Sequence, residues 1–523
     1  MAAKALKIAK TTKIAVLFLF SLQGLSAQTI RYISDLDRTI KDLDSIESPG
    51  LFRCAIDEYS AAKDAESESL KLKVLPVETL VTYNSAFPFG SNDGSLWQGK
   101  GVNGFVQAGV GLSWAWGSLT FQPQWWIAQN QSFSMAPAAS GESEYEDYRP
   151  DIDLLQAYGS GPYSSFNPGQ SELRLNYAGF TVGFGTENHK FGPAEIQNLL
   201  MSDNASGFPM LDIGTQGPYR TPFGAFEARF FWGQTSSSQY WESDGSIDRY
   251  LYNGGLLSYS PPFLQGMSFG FQRVFKSPWS TMNSWKLFEF FDDTVWKQDR
   301  AQFYGDGPSS EPDIKQDLSF TWEWRVPQTG TRAYLEWGRN DHSINLQDFL
   351  MQPDHDSGFV AGIQQKFALE GNSDILVTFE MANVGTNIGD TMRPSGSWYT
   401  SLPVVGGYTE DGQVMGAPMG PGSNTQELDV YYRSGTYFLG LGVQRWLYDA
   451  DYFYSVTNTS YAENPNGYMT YDMLISGTVR AGIELDEVEL GASVTYTKDY
   501  DRNFVVGNDV NNWHAELSCK KSF

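Results

Sequence analysis

Cysteine, histidine and long apolar runs are scarce in this sequence, and each scarcity excludes a class of protein. The 523 residues include only 2 Cys and 4 His. Cys54 and Cys519 lack the spacing of a metal site, so we expect two unpaired cysteines rather than a disulfide, and no resident metal or cofactor. No nucleophile is paired with a general base in the pattern, so we expect no enzyme. The formal charge of −25 at pH 7 would repel a phosphate backbone and argues against nucleic acid as a partner.

The first 27 residues have the pattern of a secretory signal peptide. Lysines precede an apolar run from Ile14 to Leu22, and Leu25-Ser26-Ala27 supplies a cleavage site. The run is too short to span a bilayer, and no later segment offers the long apolar run of a membrane helix. We therefore expect cleavage after Ala27 and export of the remaining chain.

Residues 28–69 differ in pattern from the rest of the chain. Apolar residues recur there at helical spacing, at Ile33, Leu36, Ile40, Leu43 and Ile46. Pro49-Gly50 ends this run, and a second helical run begins at Leu51. The pattern predicts a small periplasmic helical element in the form of a hairpin. Such an element would dock a partner, cap a lumen, or pack against the base of a larger domain.

From residue 70 onward the hydrophobic pattern has a period of two. The last eleven residues, Trp513 to Phe523, alternate between one apolar and one polar face, which is typical of a half-buried strand. A final strand that ends on an aromatic residue resembles the closing strand of bacterial outer-membrane barrels, where this ending serves the barrel-insertion machinery. Counting the alternating segments predicts an all-β transmembrane fold, an antiparallel outer-membrane β-barrel of about 18 strands over residues 70–523. Aromatic residues, 15% of the chain, suit girdles that contact outer-membrane lipid.

The lengths of the connections predict a direction for this barrel. Short turns alternate with long connections along the chain, and in outer-membrane barrels the short turns are periplasmic. The long connections would therefore face the surface of a Gram-negative-type cell. In the C-terminal half they are residues 275–316, 340–357, 383–426, 447–471 and 498–512.

Charged residues recur on the polar face of several predicted strands. Residues two apart on a strand share a face, so Glu-x-Arg pairs would point into the barrel lumen. These pairs are Glu172 with Arg174, Glu227 with Arg229, and Glu323 with Arg325. They predict either a cross-braced, narrow or plugged lumen or the solvated wall of a porin.

Three stretches of the sequence resemble the capsule-assembly Wzi family of outer-membrane proteins. They are residues 83–101 (YNSAFPFGSNDGSLWQGKG), 191–213 (FGPAEIQNLLMSDNASGFPMLDI) and 397–424 (SWYTSLPVVGGYTEDGQVMGAPMGPGSN), with weaker support from residues 252–266. The resemblance implies an 18-stranded barrel with a periplasmic helical element, a lumen obstructed by inward-folded loops, and lectin-like contact with surface polysaccharide. The second stretch has Lys190-Phe191 before Gly192 where the family version is richer in Trp, which leaves the identity of the glycan open.

The sequence therefore favours a protein that binds and retains surface polysaccharide, with a porin or solute transporter as the alternative. Sugars present hydroxyls to polar groups and apolar faces to aromatic rings, and the predicted external loops carry both. The candidate contact residues are Trp279, Trp285, Trp296, Asp341, Asp354, Trp398, Tyr399 and Tyr408. The two aspartates adjoin histidines in one loop, where they could also hold calcium or simply be solvated.

Overall fold

The computed structural model describes residues 30–54, 70–139, 142–241, 245–291, 314–340, 350–386, 396–401, 404, 406–454 and 470–523. The helix α1 spans Ile33–Leu43. The strands are, in order, β1 Phe52–Cys54, β2 Lys71–Val74, β3 Val77–Asn84, β4 Gly101–Gln107, β5 Val110–Trp114, β6 Gly117–Phe121, β7 Gln124–Ala128, β8 Tyr163–Asn167, β9 Glu172–Tyr177, β10 Phe180–Gly185, β11 His189–Phe191, β12 Met210–Thr215, β13 Tyr219–Thr221, β14 Gly224–Ser236, β15 Arg249–Ser260, β16 Met267–Pro278, β17 Lys315–Val326, β18 Thr331–Asn340, β19 Ser357–Leu369, β20 Ser373–Asn383, β21 Thr409–Glu410, β22 Gln413–Val414, β23 Asn424–Ser434, β24 Tyr437–Tyr448, β25 Asp472–Leu485, β26 Val488–Tyr500 and β27 Val510–Lys521. Short 3₁₀ turns lie at Trp279–Thr281, Ser284–Leu287, Glu289–Phe291 and Arg502–Phe504.

One large antiparallel sheet dominates the structure. It contains 23 of the strands named above. From β14 to β20 each strand pairs with the next one along the chain, whereas in the N-terminal part interrupted strands pair across the interruptions, β2 with β5, β4 with β7 and β6 with β9. The last strand, β27, pairs with β3, where Leu517 lies opposite Val81. Two small ladders lie outside this sheet, β1 with β11 and β21 with β22.

The two faces of the large sheet have opposite chemistry. Burial alternates from residue to residue, as in β14, because successive side chains point to opposite faces. The outer face exposes apolar residues such as Leu441 and Val479. The inner face carries buried polar and charged residues together with aromatic rings. This alternation confirms the period-two interpretation of the sequence and places the hydrogen-bonding groups on the inside.

Proline and glycine mark the interruptions in the first strands. Pro76 separates β2 from β3 and cannot donate a ladder hydrogen bond. Gly109 separates β4 from β5, and a Cβ at this position would lie only 2.2 Å from the carbonyl oxygen of Phe121. The neighbouring strands continue to pair on both sides of each interruption.

The N-terminal element holds one helix and one short strand within the described residues. Helix α1 buries the four apolar residues of its sequence repeat against Leu376, Tyr431 and Phe438 on the inner face of the sheet. The predicted second helix is wrong at its start, because Phe52–Cys54 is a strand paired with β11. Pairing with a distant segment overrides the local helical spacing there. Residues 55–69 lie outside the described residues.

Two long connections fold into the interior of the sheet and fill much of it. The connection after β10 is held by Glu380, whose carboxylate accepts hydrogen bonds from the backbone N–H groups of Glu195, at 2.8 Å, and Gln197, at 2.7 Å. The connection after β20 contacts the first one, because the Tyr408 hydroxyl donates to the carbonyl oxygen of Leu200 at 2.7 Å. Residues of both connections form the largest buried apolar cluster of the described chain.

No helix among the described residues combines the length and the apolar character needed to cross a membrane.

Candidate functional site

A cavity of about 250 Å³ lies where several connections meet the ends of the strands. It is lined by the loops after β3, β7, β11 and β20, by the ends of β24 and β25, and by the turn after β26. Its ring-bearing lining residues are Phe87, Phe89, Trp97, Phe133, Tyr148, Trp446 and Tyr448. Its carboxylate, amide and guanidinium groups come from Asp93, Gln98, Asp147, Gln156, Asn204, Gln413, Asp472, Arg502 and Asn503.

The aromatic rings of the cavity are held by neighbouring groups rather than free to rotate. The Trp446 indole N–H donates to the carbonyl oxygen of Met419 at 3.1 Å, and its ring lies 5.7 Å from that of Tyr448. The ring centroids of Trp97 and Tyr158 are 5.0 Å apart. Fixed rings beside hydrogen-bonding groups suit a ligand that has flat apolar faces and a polar edge.

Two loop carboxyl groups at the cavity are protonated more readily than usual. Burial raises the pKa of Asp93 to about 6, although the guanidinium of Arg31 opposes this rise, and Gln98 donates to the same carboxylate at 2.7 Å. Burial also raises the pKa of Asp147 to about 7. Both groups therefore change charge near neutral pH, where an exposed aspartate would be ionised.

Among the described residues one cation, Arg502, lines the cavity, and it contacts both a carboxylate and an aromatic ring. The Arg502 Nη1 donates to Asp499 Oδ2 at 2.7 Å. Its guanidinium lies 3.9 Å from the centroid of the Phe87 ring, a cation–π contact. Arg502 thereby connects the turn after β26 to the loop after β3 and braces one wall of the cavity.

The structure buries three of the aromatic residues expected to contact glycan. Trp398, Tyr399 and Tyr408 are each about 1% exposed and belong to the apolar cluster inside the sheet. The Trp398 indole N–H donates to the carbonyl oxygen of Asp356 at 3.0 Å, and the Tyr252 and Tyr408 hydroxyl oxygens are 2.6 Å apart. Because their faces are covered by protein, these three rings present no exposed stacking surface in this conformation, and their contact with glycan stays a prediction.

Of the remaining glycan candidates, Trp279 and Asp354 are described and do not line the cavity. Trp279 is 40% exposed in a 3₁₀ turn just after β16, and Asp354 is exposed before β19. The backbone of Trp285 lies in the next 3₁₀ turn, Ser284–Leu287, and the structure does not describe its side chain. Trp296 and Asp341 fall outside the described residues. The glycan-contact assignments of these residues stay predictions.

The six residues of the predicted lumen charge network all lie on the inner face of the sheet. Arg174 pairs with Glu172, with Nε 2.8 Å from Oε2, and Arg325 lies 2.9 Å from Glu323. Glu227 instead accepts backbone hydrogen bonds from the N-terminal segment.

Sequence reasoning missed two members of this network. Asp212 lies 2.8 Å from Arg174 and also pairs with Arg229. Arg332 lies 2.5 Å from Glu323. Both missed residues lie on the inner face of strands next to those that carry the Glu-x-Arg pairs. The only sequence signal for them was a charged residue on the polar face of an adjacent predicted strand.

One group of side chains in the described chain has metal-ligand proximity. Ligand atoms of Glu172, Glu187 and His189 lie within 4.8 Å of one another. The Glu172 carboxylate already binds Arg174, and a guanidinium so close opposes the entry of a metal cation. We assign no metal site here.

Many cavity residues lie in the stretches 83–101, 191–213 and 397–424, which carry the family resemblance, but none of them was predicted as a contact residue. No short motif links these segments, because the fold alone brings them together. A further local hint is the run from Tyr145 to Arg149, YEDYR, which concentrates rings and charges in a loop.

No protein-family model matches the sequence, and no curated protein matches it. Among solved structures, the chain is similar to Wzi of Escherichia coli, described as a carbohydrate-binding β-barrel involved in group 1 capsule assembly, with 12% identity and a TM-score of 0.59 over 96% of this chain and 100% of that one. It is also similar to OprB of Pseudomonas putida, with 12% identity and a TM-score of 0.38 over 92% and 100% of the chains. OccAB4 of Acinetobacter baumannii has 8% identity and a TM-score of 0.38 over 88% and 100%. The likeness to Wzi shows a shared β-barrel fold.

Proposed function

We propose that the protein is an outer-membrane barrel that binds surface polysaccharide and retains it at the cell surface, as in capsule assembly. The observation that carries the proposal is the cavity, where fixed aromatic rings adjoin amides and carboxylates. Sugars stack their apolar faces on rings and bond their hydroxyls to such groups. Its volume of about 250 Å³ is below the ~300–1,000 Å³ of pockets for drug-sized ligands and suits one or two sugar units of a longer chain.

The barrel in this proposal has 18 strands. The large sheet has 23 described strands, and ten of them are the halves of five interrupted strands: β2 with β3, β4 with β5, β6 with β7, β8 with β9, and β12 with β13. Counting each of these once gives 18, an even number as in single-chain bacterial barrels. A cleaved signal peptide, insertion by the barrel machinery and loops that face the cell surface complete the proposal.

The alternative function, a porin or solute transporter, needs an open path through the lumen. Two long connections occupy the interior, and the wall residue Lys276 donates from Nζ to the carbonyl oxygens of Gly407, at 2.7 Å, and Thr409, at 2.8 Å. Buried charge-assisted hydrogen bonds of this kind hold the inward fold in place. This packing favours a binding function over diffusion.

A deletion strain tests the proposal at the level of the cell. Loss of a retaining protein leaves the total surface polysaccharide nearly unchanged and moves it from the cell-bound fraction into the medium. Many weak contacts along one polymer would sum to strong retention, so the loss should be large. A fall in total polymer with an intact cell-bound fraction would contradict the proposal, because it would place the protein in synthesis or export.

A binding assay with refolded protein tests the cavity itself. Replacing Trp446 by Ala removes one wall ring that is only half-buried, and the variant should lose affinity for the glycan that a glycan array identifies. Tyr496→Ala is a matched control, because that ring lies on the outer face near the closing strand and contacts Trp513. If the wild type and the Trp446 variant bound every glycan with equal affinity, this result would contradict a glycan-binding function for the cavity.

A further inference from the structure

The segment from Trp279 to Phe291 lies against the outer face of the sheet rather than over its interior. Phe230 and Phe271 are half-buried and lie on the outward-facing apolar positions of β14 and β16. The ring of Phe290 lies 5.2 Å from that of Phe230 and 5.9 Å from that of Phe271. We call residues 279–291 the outer strap.

The outer strap covers polar residues that also point outward. Arg273 lies opposite Gly255 and Leu318 in the ladders, on the face that carries Phe230. Its Nη1 donates to the carbonyl oxygen of Phe290 at 2.8 Å, and its Nη2 donates to Gln316 Oε1 at 2.6 Å. These side chains are buried although their strands expose apolar residues elsewhere on the same face.

A second set of polar contacts lies beneath the outer strap. Asn253 Nδ2, on the outer face of β15, donates to the carbonyl oxygen of Lys286 at 3.1 Å and to Glu289 Oε2 at 3.0 Å. Lys286 and Glu289 form an ion pair with Nζ 2.7 Å from Oε1, and both are buried. The wall thus supplies hydrogen-bond partners for the strap and its charges.

The solvent-side surface of the strap is polar at Ser280, Asn283 and Ser284 and apolar from Leu287 onward. Leu287 is 43% exposed, Phe288 60% and Phe291 66%. Arg273 lies five residues before Pro278, the last residue of β16, which corresponds to about 17 Å along the strand. The strap therefore reaches the middle of the spanning strands, where an exposed polar backbone would cost several kcal/mol per unsatisfied group in hydrocarbon.

We infer that the outer strap is embedded in the membrane, with Leu287, Phe288 and Phe291 in contact with lipid acyl chains. This inference rests on the proposed outer-membrane location. The wall and the strap supply hydrogen-bond partners for Arg273, Asn253 and Glu289, and Leu287, Phe288 and Phe291 face away from the wall, which is the arrangement that a lipid environment favours. The exposed rings continue the apolar band of the wall, where Phe320 is 50% exposed. The strap would seal Arg273 and Asn253 from lipid.

Spin-label accessibility in phosphatidylcholine vesicles tests the inference with the full chain. On a background of Cys54→Ser and Cys519→Ser, one label is placed by Phe288→Cys on the strap, one by Phe320→Cys on the wall, and one by Val506→Cys in the exposed turn after β26. The Phe288 label should match the Phe320 label, with high collision rates for oxygen and low rates for a water-soluble nickel chelate. Leu287→Cys repeats the measurement if the Phe288 variant inserts poorly.

Three other outcomes overturn the inference. A Phe288 label as accessible to nickel as the Val506 label would place the strap in water. A Phe288 label shielded from both reagents, with dipolar broadening between labels, would show that a second copy of the chain covers the strap. A Phe320 label that is accessible to nickel would show that the wall itself is not in lipid. The proposed membrane location would then fail, and the inference about the strap would fail with it.

Discussion

Glu227 on the inner wall accepts a hydrogen bond from the backbone N–H of Leu51 at 2.7 Å, and so ties the N-terminal segment into the interior of the sheet. The same carboxylate accepts the N–H of Phe52 at 3.2 Å. Gly50 has φ +97°, and a Cβ there would lie 2.8 Å from the Glu227 carboxylate oxygens. The wall and the segment therefore fit together only with a glycine and an acceptor at these positions.

Replacing Glu227 by Ala should loosen this segment. Two buried backbone donors lose their acceptor, which costs about 1–3 kcal/mol for each unsatisfied group. Limited proteolysis should then remove the residues before β2 faster than in the wild type. Glu47→Ala is the matched control, since Glu47 is largely exposed in its pair with Arg220 and such pairs contribute little. Digestion of the Glu227 variant at the wild-type rate would contradict the role of this contact.

Removing the connection after β20 should open a path through the lumen. Its ends meet at the wall, where the Val384 N–H donates to the carbonyl oxygen of Ser423 at 2.9 Å, so residues 386–421 can be deleted by joining Gly385 to Gly422. In planar bilayers the wild type should show no large, steady conductance, and the deletion variant should conduct. Heat-modifiable mobility checks that the variant still forms a barrel. A steadily conducting wild type would favour the porin alternative.

Trp398→Ala should destabilise the protein far more than Trp446→Ala. Trp398 is 1% exposed, and a Cβ on Gly338 would lie 2.8 Å from its ring, so its loss leaves a large cavity and costs about 3–5 kcal/mol. The Trp446 variant should instead lose glycan affinity at a smaller cost in stability. Unfolding midpoints in urea and binding curves separate the two effects. A stable Trp398 variant with impaired binding would restore the sequence-based assignment of that residue.

Raising the pH from 5 to 8 should weaken the packing around the cavity. Burial raises the pKa of Asp147 to about 7, against ~3.9 for an aspartate in an unfolded chain. The folded state holds this proton more tightly, so the associated stability is complete below about pH 4 and is lost as the pH rises through about 7. Asp147→Asn should flatten the fall in the thermal midpoint over this range, whereas Asp486→Asn, in an exposed turn, should not.

Thiol labelling on intact cells tests the direction of the barrel. On a background of Cys54→Ser and Cys519→Ser, a cysteine that replaces Val506 should react with an impermeant reagent, because this turn after β26 is exposed and would face outward. A cysteine at Gly371, in the short turn between β19 and β20, should not react until the cells are opened. Reaction at Gly371 on intact cells would reverse the assigned direction.

The sequence predicted the strands because their burial is a local, alternating property. The pattern from Trp513 to Phe523 corresponds to β27, and the interruption at Pro76 is where β2 ends and β3 begins. The Glu-x-Arg spacing likewise placed six charges on the inner face, since residues two apart share a side. Strand periodicity says nothing about where a connection goes after it leaves the sheet.

The connections and the cavity could not be predicted for that reason. Trp398 and Tyr408 carry no periodic signal, and only contacts with the inner wall and the other connection show that they are buried. Trp279 and Trp285 of the outer strap were expected to contact glycan in an external loop. The position of the strap depends instead on Arg273 and Asn253, two polar residues on the apolar outer face. The strand Phe52–Cys54 forms because β11 lies beside it, whereas its own sequence favours a helix.

The pairing of β27 with β3 also has a consequence for synthesis. The strand β3 keeps one unbonded edge until β27, which is twelve residues long and lies at the end of the chain, has been synthesised and pairs with it. A chain that stops before Val510 retains two open edges and an incomplete wall around its buried charges. Every truncated product is therefore distinguishable from the finished protein by an exposed strand edge, so a quality-control system can recognise and discard it.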